Sequence, residues 1–525
     1  MNTVGLALVL VFGLCSAGAV LGMIIPERRN PTLLAWAGSL AALSALWASG
    51  IVLRGGEFRA QLWTIRSLGT LCASLDRLSA FFLFVAAIVV LASSIFSASY
   101  MKRYLGHYRL SSFNVWYLLL FASITWILIA DDIVSFLVAW EAMSILSYLL
   151  VNFEHQRDGT SQAGYLMLAM GEAGFMAVEV VLLFLAVRAG SLEFSALKTA
   201  AVGLRSVIHW TMFLLTFFGF GVKAGLVPVN TWLPRAHPAA PANVSAILSG
   251  VILNLGLYGI IRVNFDLVPV GMVGAGLIVL AVGTISALVG ILYATTESDL
   301  KALLAHSSIE NIGIVTIGLG AGIIFAARER PLLAGMAFIA AFYHMFNHSL
   351  YKALLFLGAG AVDDRAGTRD LDRLGGLIRV MPYTAGAFLV GALAISAVPP
   401  FNGFVSEWLM LQTLLRSAEF SSTALRLVFA LCGAGLALTA ALAVTCFVKA
   451  FAMGFLGVPR SEQAAKAVEA RGSAITAMAL LAFFCLLLGV LPTYVIPALN
   501  QELQPLISAG AADALVPPFF RSNPA

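Results

Sequence analysis

Charge is scarce in this sequence. Only 11% of its 525 residues are Asp, Glu, Lys or Arg, and the mean hydropathy is +0.95. A soluble domain carries about a quarter charged residues, so a water-exposed globule is excluded. The formal net charge of +5 comes mostly from loop arginines and offers no broad basic surface, so no nucleic-acid partner is expected. Cysteine is scarce too. Cys15, Cys72, Cys432, Cys446 and Cys485 are scattered without a CxxC spacing, which argues against an iron–sulfur cluster or a cysteine-built zinc site in this chain. Period-two alternation is missing along the apolar stretches, which excludes a transmembrane barrel. The first apolar run, residues 4–24, lacks the basic flank of a signal peptide and reads as a retained first transmembrane helix. A dinucleotide fingerprint is missing as well. The GLGAG run at 318–322 lies inside an apolar segment, where small residues serve helix packing.

What the chain has instead is apolar runs of about 20 residues, long enough to cross a bilayer as helices. Runs and breaks predict an all-α polytopic membrane protein of about 14 spans. The seventh, 206–228, is interrupted by Pro228 and Pro234. The twelfth, 381–415, is interrupted at "SAVPPFNGFVSEW" by Pro399, Pro400 and Gly403. A backbone break at membrane depth is tolerated only inside protein or beside a polar cavity. The two breaks lie five spans apart, which suggests an internal repeat, spans 4–8 against 9–13. The expected organisation is residues 1–112 for the first three spans, a core at 113–456 with repeats near 113–264 and 271–456, and 457–525 for the last span and a short tail. Lys/Arg bias between alternate loops is too small to orient the chain.

Several spans carry groups that apolar surroundings do not tolerate without compensation. Glu141 sits mid-span in "DDIVSFLVAWEAMSILSYLLV", with Ser144, Ser147 and Tyr148 on neighbouring helical positions. Lys223, in "TFFGFGVKAGLVPVNTWLP", is its expected partner, either as a structural clamp or as an adjustable pair. His344, His348 and Lys352 fall at i, i+4 and i+8 in "FYHMFNHSLYKALLFLGAG" and climb one helix face, which suits a proton relay. Two histidines at i, i+4 also suggest a metal site, but the HExxH glutamate and a third ligand are missing. His306 and Glu310 repeat the i, i+4 spacing in "KALLAHSSIENIGIV", with Lys301 as an interfacial anchor or a relay member. Glu172 and Glu179 share a face of the sixth span, and Glu407 follows the Pro399–Pro400 break. Together these form a polar axis of Glu, Lys, His, Lys and Glu.

On these motifs the chain resembles the antiporter-like, proton-translocating membrane subunits shared by respiratory complex I, Mrp-type antiporters and membrane-bound hydrogenases. The resemblance covers roughly residues 75–455. It rests on "FLVAWEAMSILSYLLV", "GFGVKAGLVPVNTWLPRAHPAAPANVSAILSG", "ESDLKALLAHSSIENIGI", "HMFNHSLYKALLFLGAG" and "PPFNGFVSEW". Within that family "LPRAHPAAPANVSA", "SSIENIGI" and "PPFNGFVSEW" look most like the large antiporter-like subunit of formate hydrogenlyase-type group-four hydrogenases. The resemblance implies 14 helices with two inverted five-helix repeats and broken helices 7 and 12. It implies that Glu141 and Lys223 form an input pair, that His344, His348 and Lys352 continue the axis, and that Glu407 stands at the exit. Two positions depart from the pattern. Asn230 stands where the family usually has histidine, and Asn254 where helix 8 usually carries a central lysine. Asparagine can hold a water but cannot carry a proton as an ammonium group does.

The expected function is a proton-translocating subunit of a redox-driven complex in a bacterial inner membrane. Catalysis would belong to partners: other membrane subunits and a peripheral redox arm carrying iron–sulfur clusters and nickel–iron or other redox centres. No cofactor is expected in this chain. The alternatives are an Mrp-type cation/proton antiporter subunit, or a membrane scaffold whose pumping is impaired by Asn254. After about residue 496 the sequence shows no long lateral helix with a further span like those of the largest relatives.

Overall fold

The computed structural model describes residues 3–65, 69–502 and 511–515. The chain divides into two compact units. The first comprises Met1–Ala224, Thr231–Pro269 and Arg471–Ala477, and the second Gly225–Asn230, Val270–Ala470 and Met478–Ala525.

The first unit begins with α1 (Thr3–Ile24) and α2 (Asn30–Leu53), followed by strands β1 (Phe58–Ile65) and β2 (Gly69–Leu75). Then come α3 (Arg77–Tyr100), α4 (Leu110–Ile129), α5 (Ile133–Val151), α6 (Thr160–Ala189), the short α7 (Phe194–Ala200) and α8 (Ser206–Ala224). After a break, α9 (Leu233–Ala239) and α10 (Ala242–Ile247) lead through a π-helical turn, Leu248–Ile252, into α11 (Leu253–Ile261), which ends in a second π-helical stretch, Arg262–Leu267. The second unit is built from α12 (Val273–Thr296), α13 (Leu300–Ala327), α14 (Pro331–Ala366), α15 (Pro382–Ile395), α16 (Asn402–Leu415), α17 (Thr423–Phe455) and the one-turn α18 (Glu462–Ala465). Helices α19 (Gly472–Val490), α20 (Pro492–Glu502) and α21 (Ala511–Leu515) follow.

Among the described residues twelve helices are long and apolar enough to cross a membrane, and the protein is a multi-pass membrane protein. Two expected spans fall outside those twelve. Residues 332–361 lie in α14, a 36-residue helix loaded with polar side chains, and 381–415 is split into α15 and α16, each of 14 residues.

Three expectations change in detail. First, beside the helices, Phe58–Ile65 and Gly69–Leu75 pair antiparallel, with a bulge between Gln61 and Trp63. β2 is extended by Asp131 N–H donating to Cys72 O (3.0 Å) and Cys72 N–H donating to the Asp132 carboxylate (2.9 Å). Second, Pro234 does not interrupt a helix. It sits in the first turn of α9, where its missing N–H costs nothing. The break proper is Gly225–Asn230, and the orphaned Val222 carbonyl at the end of α8 accepts from the Trp232 indole (2.8 Å). Third, Gly403 lies in the first turn of α16 rather than in the gap. A Cβ there would overlap the Ala394 carbonyl oxygen, so glycine lets α16 fold against the end of α15.

Glycine also sets the closest helix pair in the second unit. A Cβ at Gly276, Gly283 or Gly290 of α12 would fall within 2.6 Å of α13 atoms, and one at Gly313 or Gly320 of α13 within 2.5 Å of the α12 backbone. Small residues at seven-residue spacing therefore bring the two backbones together. Gly318, from the GLGAG run, faces Met410 and Ala341 in the same way and serves packing.

An ionic clamp closes one end of the first unit. Arg262 donates twice to Asp76 (2.7 and 2.8 Å), once to Asp266 (2.8 Å) and once to Ser79 Oγ (3.0 Å), while its Nε meets the Tyr258 hydroxyl (3.2 Å). Asp76 also caps α3 by accepting from Ser79 N–H (2.8 Å). Burial pushes the Asp76 carboxyl up, but the Arg262 charge and hydrogen bonds outweigh it and hold the group below the usual carboxylate range. A depressed carboxyl contributes stability above its unfolded value, near 3.9, and that stability is lost as pH falls through the folded value. Asp76→Asn keeps the cap and removes the charge. Because the Asp76 side chain is 46% exposed, the expected cost at pH 7 is only about 1 kcal/mol. Unfolding midpoints of the purified protein should differ at pH 7 and draw together as pH falls below about 4 toward the folded value.

Candidate functional site

Each unit holds a lysine buried inside its helices. In the first, Lys223 lies in the last turn of α8, 5% exposed, where the helix C-terminus favours a cation. Its ammonium donates to Ser144 Oγ on α5 (3.1 Å). Glu141, half-buried one turn earlier on α5, and Glu172 on α6 both lie within electrostatic range of the ammonium and of each other. Neither closes an ion pair of 4.0 Å or less with Lys223, so the expected Glu141–Lys223 partnership is a neighbourhood of two acids and one hydroxyl rather than a contact pair. Ser147 is not part of it and bonds back to the Ser144 carbonyl (2.8 Å). Local packing explains how Glu172 reaches the site. Gly174 of α6 and Gly219 of α8 each lack the Cβ that would strike the other's carbonyl, and a Cβ at Gly171 would stand 4.0 Å from Lys223 Nζ. Glu179 lies farther along α6, half-buried and within electrostatic range of Glu141.

Asn254 is buried on α11, and its amide donates to the Gly250 carbonyl (3.0 Å) within the π-helical turn. A π turn leaves backbone carbonyls poorly matched, and this side chain satisfies one. Asn230 is half-buried in the α8–α9 break.

In the second unit Lys352 of α14 has no exposed surface. Its ammonium donates to the Leu304 carbonyl (3.0 Å) and to Ser307 Oγ on α13, and lies 6.0 Å from the centre of the Phe447 ring. Glu310, 1% exposed, is its carboxylate neighbour, again without a contact ion pair. The next residue, Asn311, organises the site. Its amide donates to Ser307 O (2.7 Å) and approaches Glu310 Oε2 (3.4 Å), while its carbonyl oxygen accepts from the Tyr351 hydroxyl and from His344 Nε2 (3.2 Å). With Nε2 donating, His344 Nδ1 is left to accept from Ser406 Oγ (3.0 Å). Asn347 Nδ2 donates to the same hydroxyl (3.0 Å) and to Asn402 O (2.8 Å). The network thus runs from Glu310 on α13 through α14 to α16. Glu407, 5% exposed on α16, lies with Glu310 in electrostatic range of Tyr351. His348 packs edge-on against Tyr351 at 6.0 Å.

The sequence-expected groups are therefore not all on one line. Glu310, His344, Lys352 and Glu407 share a cluster, whereas His306 sits nearer the start of α13. It lies against Glu297 (Nε2 to Oε1, 3.5 Å) and stacks on Tyr293 at 5.3 Å. Asn311, Tyr351 and Ser406 escaped the sequence reading as site members, and Glu172, placed there only on a shared face with Glu179, joins the surroundings of Lys223. Both nitrogens of His344 are engaged, and among the described residues no three His, Cys, Asp or Glu side chains converge to hold a metal ion. Buried lysines, carboxyls and an imidazole joined by hydroxyls and amides can hold and pass protons.

The profile of the family described as "NADH:quinone oxidoreductase/Mrp antiporter, TM" matches residues 130–436, more than half of the chain. Hydrogenase-4 component B of Escherichia coli (strain K12) is 39% identical over 458 residues, 86% of this chain and 67% of that protein. Formate hydrogenlyase subunit 3 of the same organism is 35% identical over 385 residues, 73% of this chain and 62% of that protein. The chain thus spans about two thirds of the length of these relatives. A chain of the Mrp complex from Dietzia sp. DQ12-45-1b has the same fold, with a TM-score of 0.80 at 20% identity over 98% of this chain and 100% of that one. The protein belongs to the NADH:quinone oxidoreductase/Mrp antiporter transmembrane family.

Proposed function

We propose that this chain is a proton-translocating membrane subunit of a redox-driven complex of the hydrogenase-4 or formate hydrogenlyase kind. The observation that carries this reading is the Lys352–Glu310 neighbourhood. Both groups are buried in apolar spans, their charges are near but not in contact, and hydroxyls and amides connect them to His344 and Ser406. Such a group is costly unless it serves an ion path. Lys223 with Glu141 and Glu172 provides a second site of the same chemistry in the other unit. On this reading Glu141, Lys223, Glu310, His344, His348, Lys352 and Glu407 handle protons, with His306 nearer the surface. The redox chemistry belongs to partners: other membrane subunits and a peripheral arm with iron–sulfur and nickel–iron or other metal centres, assembled on the bacterial inner membrane.

Purification with native partners, followed by identification of the subunits and their metals, tests the proposal. Hydrogenase or iron–sulfur subunits are the expected companions, and an intact complex without any redox subunit would overturn it. That outcome would favour a cation/proton antiporter subunit, a reading supported by the likeness to the Mrp complex over nearly the whole chain. The scaffold reading is motivated by Asn254, whose amide is committed to its own helix.

A further inference from the structure

Lys352 and Glu310 have essentially no exposed surface, so a proton needs a way to them. We propose that it comes from the face of the second unit that carries the turn between α12 and α13, with Glu297 collecting it and His306 passing it inward. The proposal rests on the reading of the Glu310–Lys352 cluster as proton-handling and adds where that cluster meets water.

Exposure falls stepwise along these residues. The Glu297 side chain is 35% exposed and that of His306 13%, while Glu310 is 1% and Lys352 0% exposed. The first step is a direct contact, His306 Nε2 at 3.5 Å from Glu297 Oε1. Tyr293, stacked on the imidazole at 5.3 Å, fixes the plane of the ring. The second step is one helical turn, about 6 Å of rise from His306 to Glu310 on α13. Gly290 shapes this stretch, since a Cβ there would lie 2.4 Å from Glu310 N and 2.8 Å from His306 O. The acceptors of Lys352, the Leu304 carbonyl and Ser307 Oγ, bracket His306 in sequence, so the ammonium is anchored on the same turn of α13.

The turn holds further charged groups. Lys449 of α17 donates to the Thr295 and Glu297 carbonyls (2.6 and 2.7 Å), and Asp299 pairs with Arg369. Lys301 is buried at the start of α13. Cys446, one turn before Lys449 on α17, lies within electrostatic range of Glu310, Lys352 and Lys449. These charges fix the turn, while Glu297 and His306 are joined to each other by side chains that can exchange a proton.

The transfer conserves protons without any co-reactant. A proton bound by the Glu297 carboxylate moves to His306 Nε2, giving an imidazolium. The Nδ1 proton then leaves toward Glu310 through a water, which leaves the neutral ring protonated on Nε2, and a half-turn of the ring exchanges the roles of the two nitrogens for the next proton. Histidine suits the middle position because its ring can accept a proton on one nitrogen and release one from the other.

The test uses the purified complex in proteoliposomes with a pH-sensitive dye, comparing His306→Ala, His306→Gln and Glu297→Gln with Lys352→Met. Both His306 variants are expected to lower the proton signal at least about tenfold, and Glu297→Gln by a smaller factor. Added imidazole should restore a large share of the signal in His306→Ala, an effect that a structural role would not produce. If Lys352→Met is inactive while the His306 and Glu297 variants keep the wild-type rate, the route is wrong and the cluster stands. Loss in His306→Ala without imidazole rescue and with a lowered unfolding midpoint also counts against the route. If Lys352→Met itself moves protons at the wild-type rate, the proton reading of the cluster falls.

Discussion

Replacing Lys352 with methionine is expected to abolish proton movement by the assembled complex and to destabilise the protein measurably. The two effects have different causes. Transport fails because methionine fills the volume but cannot carry a proton. Stability falls because Glu310, 1% exposed, loses its cationic neighbour. Breaking a buried pair costs roughly 3–5 kcal/mol. The lower end applies here because the two groups do not form a contact ion pair. The double variant Lys352→Met, Glu310→Gln separates the effects. With both charges gone, the unfolding midpoint should recover toward wild type although transport stays absent. The non-additivity measures the coupling directly, since a pair in electrostatic contact shows an interaction energy and independent sites do not. Simple addition of the two single-variant costs would show that Glu310 and Lys352 do not sense one another.

Residues that violate their surroundings were legible in the sequence. Lys223, Glu141 and Lys352 stand out in apolar runs, and helical spacing places His344, His348 and Lys352 on one face before any packing is known. The organising residues were not legible, for a geometric reason. Asn311 follows Glu310 by one position, about 100° around the helix, so periodicity separates them. Only the packing of α14 on α13 brings Asn311 to Tyr351 and His344. Glu172 lay on a recognisable face, but its approach to Lys223 depends on the close packing of α6 and α8 at Gly174 and Gly219. His306 shows the opposite case. Its i, i+4 relation to Glu310 holds, yet the ring points to Glu297, which lies in a loop and has no periodic signal. The strand pair Phe58–Ile65 and Gly69–Leu75 was hidden because a window of about 19 residues averages a short alternating strand into its apolar neighbours. The proline breaks were visible, although the roles of Pro234 and Gly403 followed only once helix starts were distinguished from gaps.

The Lys223 site leads to a prediction that a one-acid pair would not. Two carboxyls, Glu141 and Glu172, lie within electrostatic range of the ammonium and of each other, so each can serve as its counter-charge when the other is neutralised. Glu141→Gln and Glu172→Gln are therefore each expected to leave a reduced but measurable proton signal. The double variant should lose it by at least about tenfold more, a barrier increase of about 1.4 kcal/mol or greater. Lys223→Met should match the double variant, because it removes the group that both acids serve. Glutamine is the right replacement, since it keeps the volume and the hydrogen-bonding capacity of the side chain while deleting the charge. Dye-reported uptake in proteoliposomes, with the partner subunits' redox turnover measured in parallel, distinguishes loss of transport from loss of assembly. A Glu172→Gln variant that is silent both alone and on the Glu141→Gln background would make Glu172 a bystander. The site would then reduce to Glu141, Ser144 and Lys223, as a reading of α5 and α8 alone would have it.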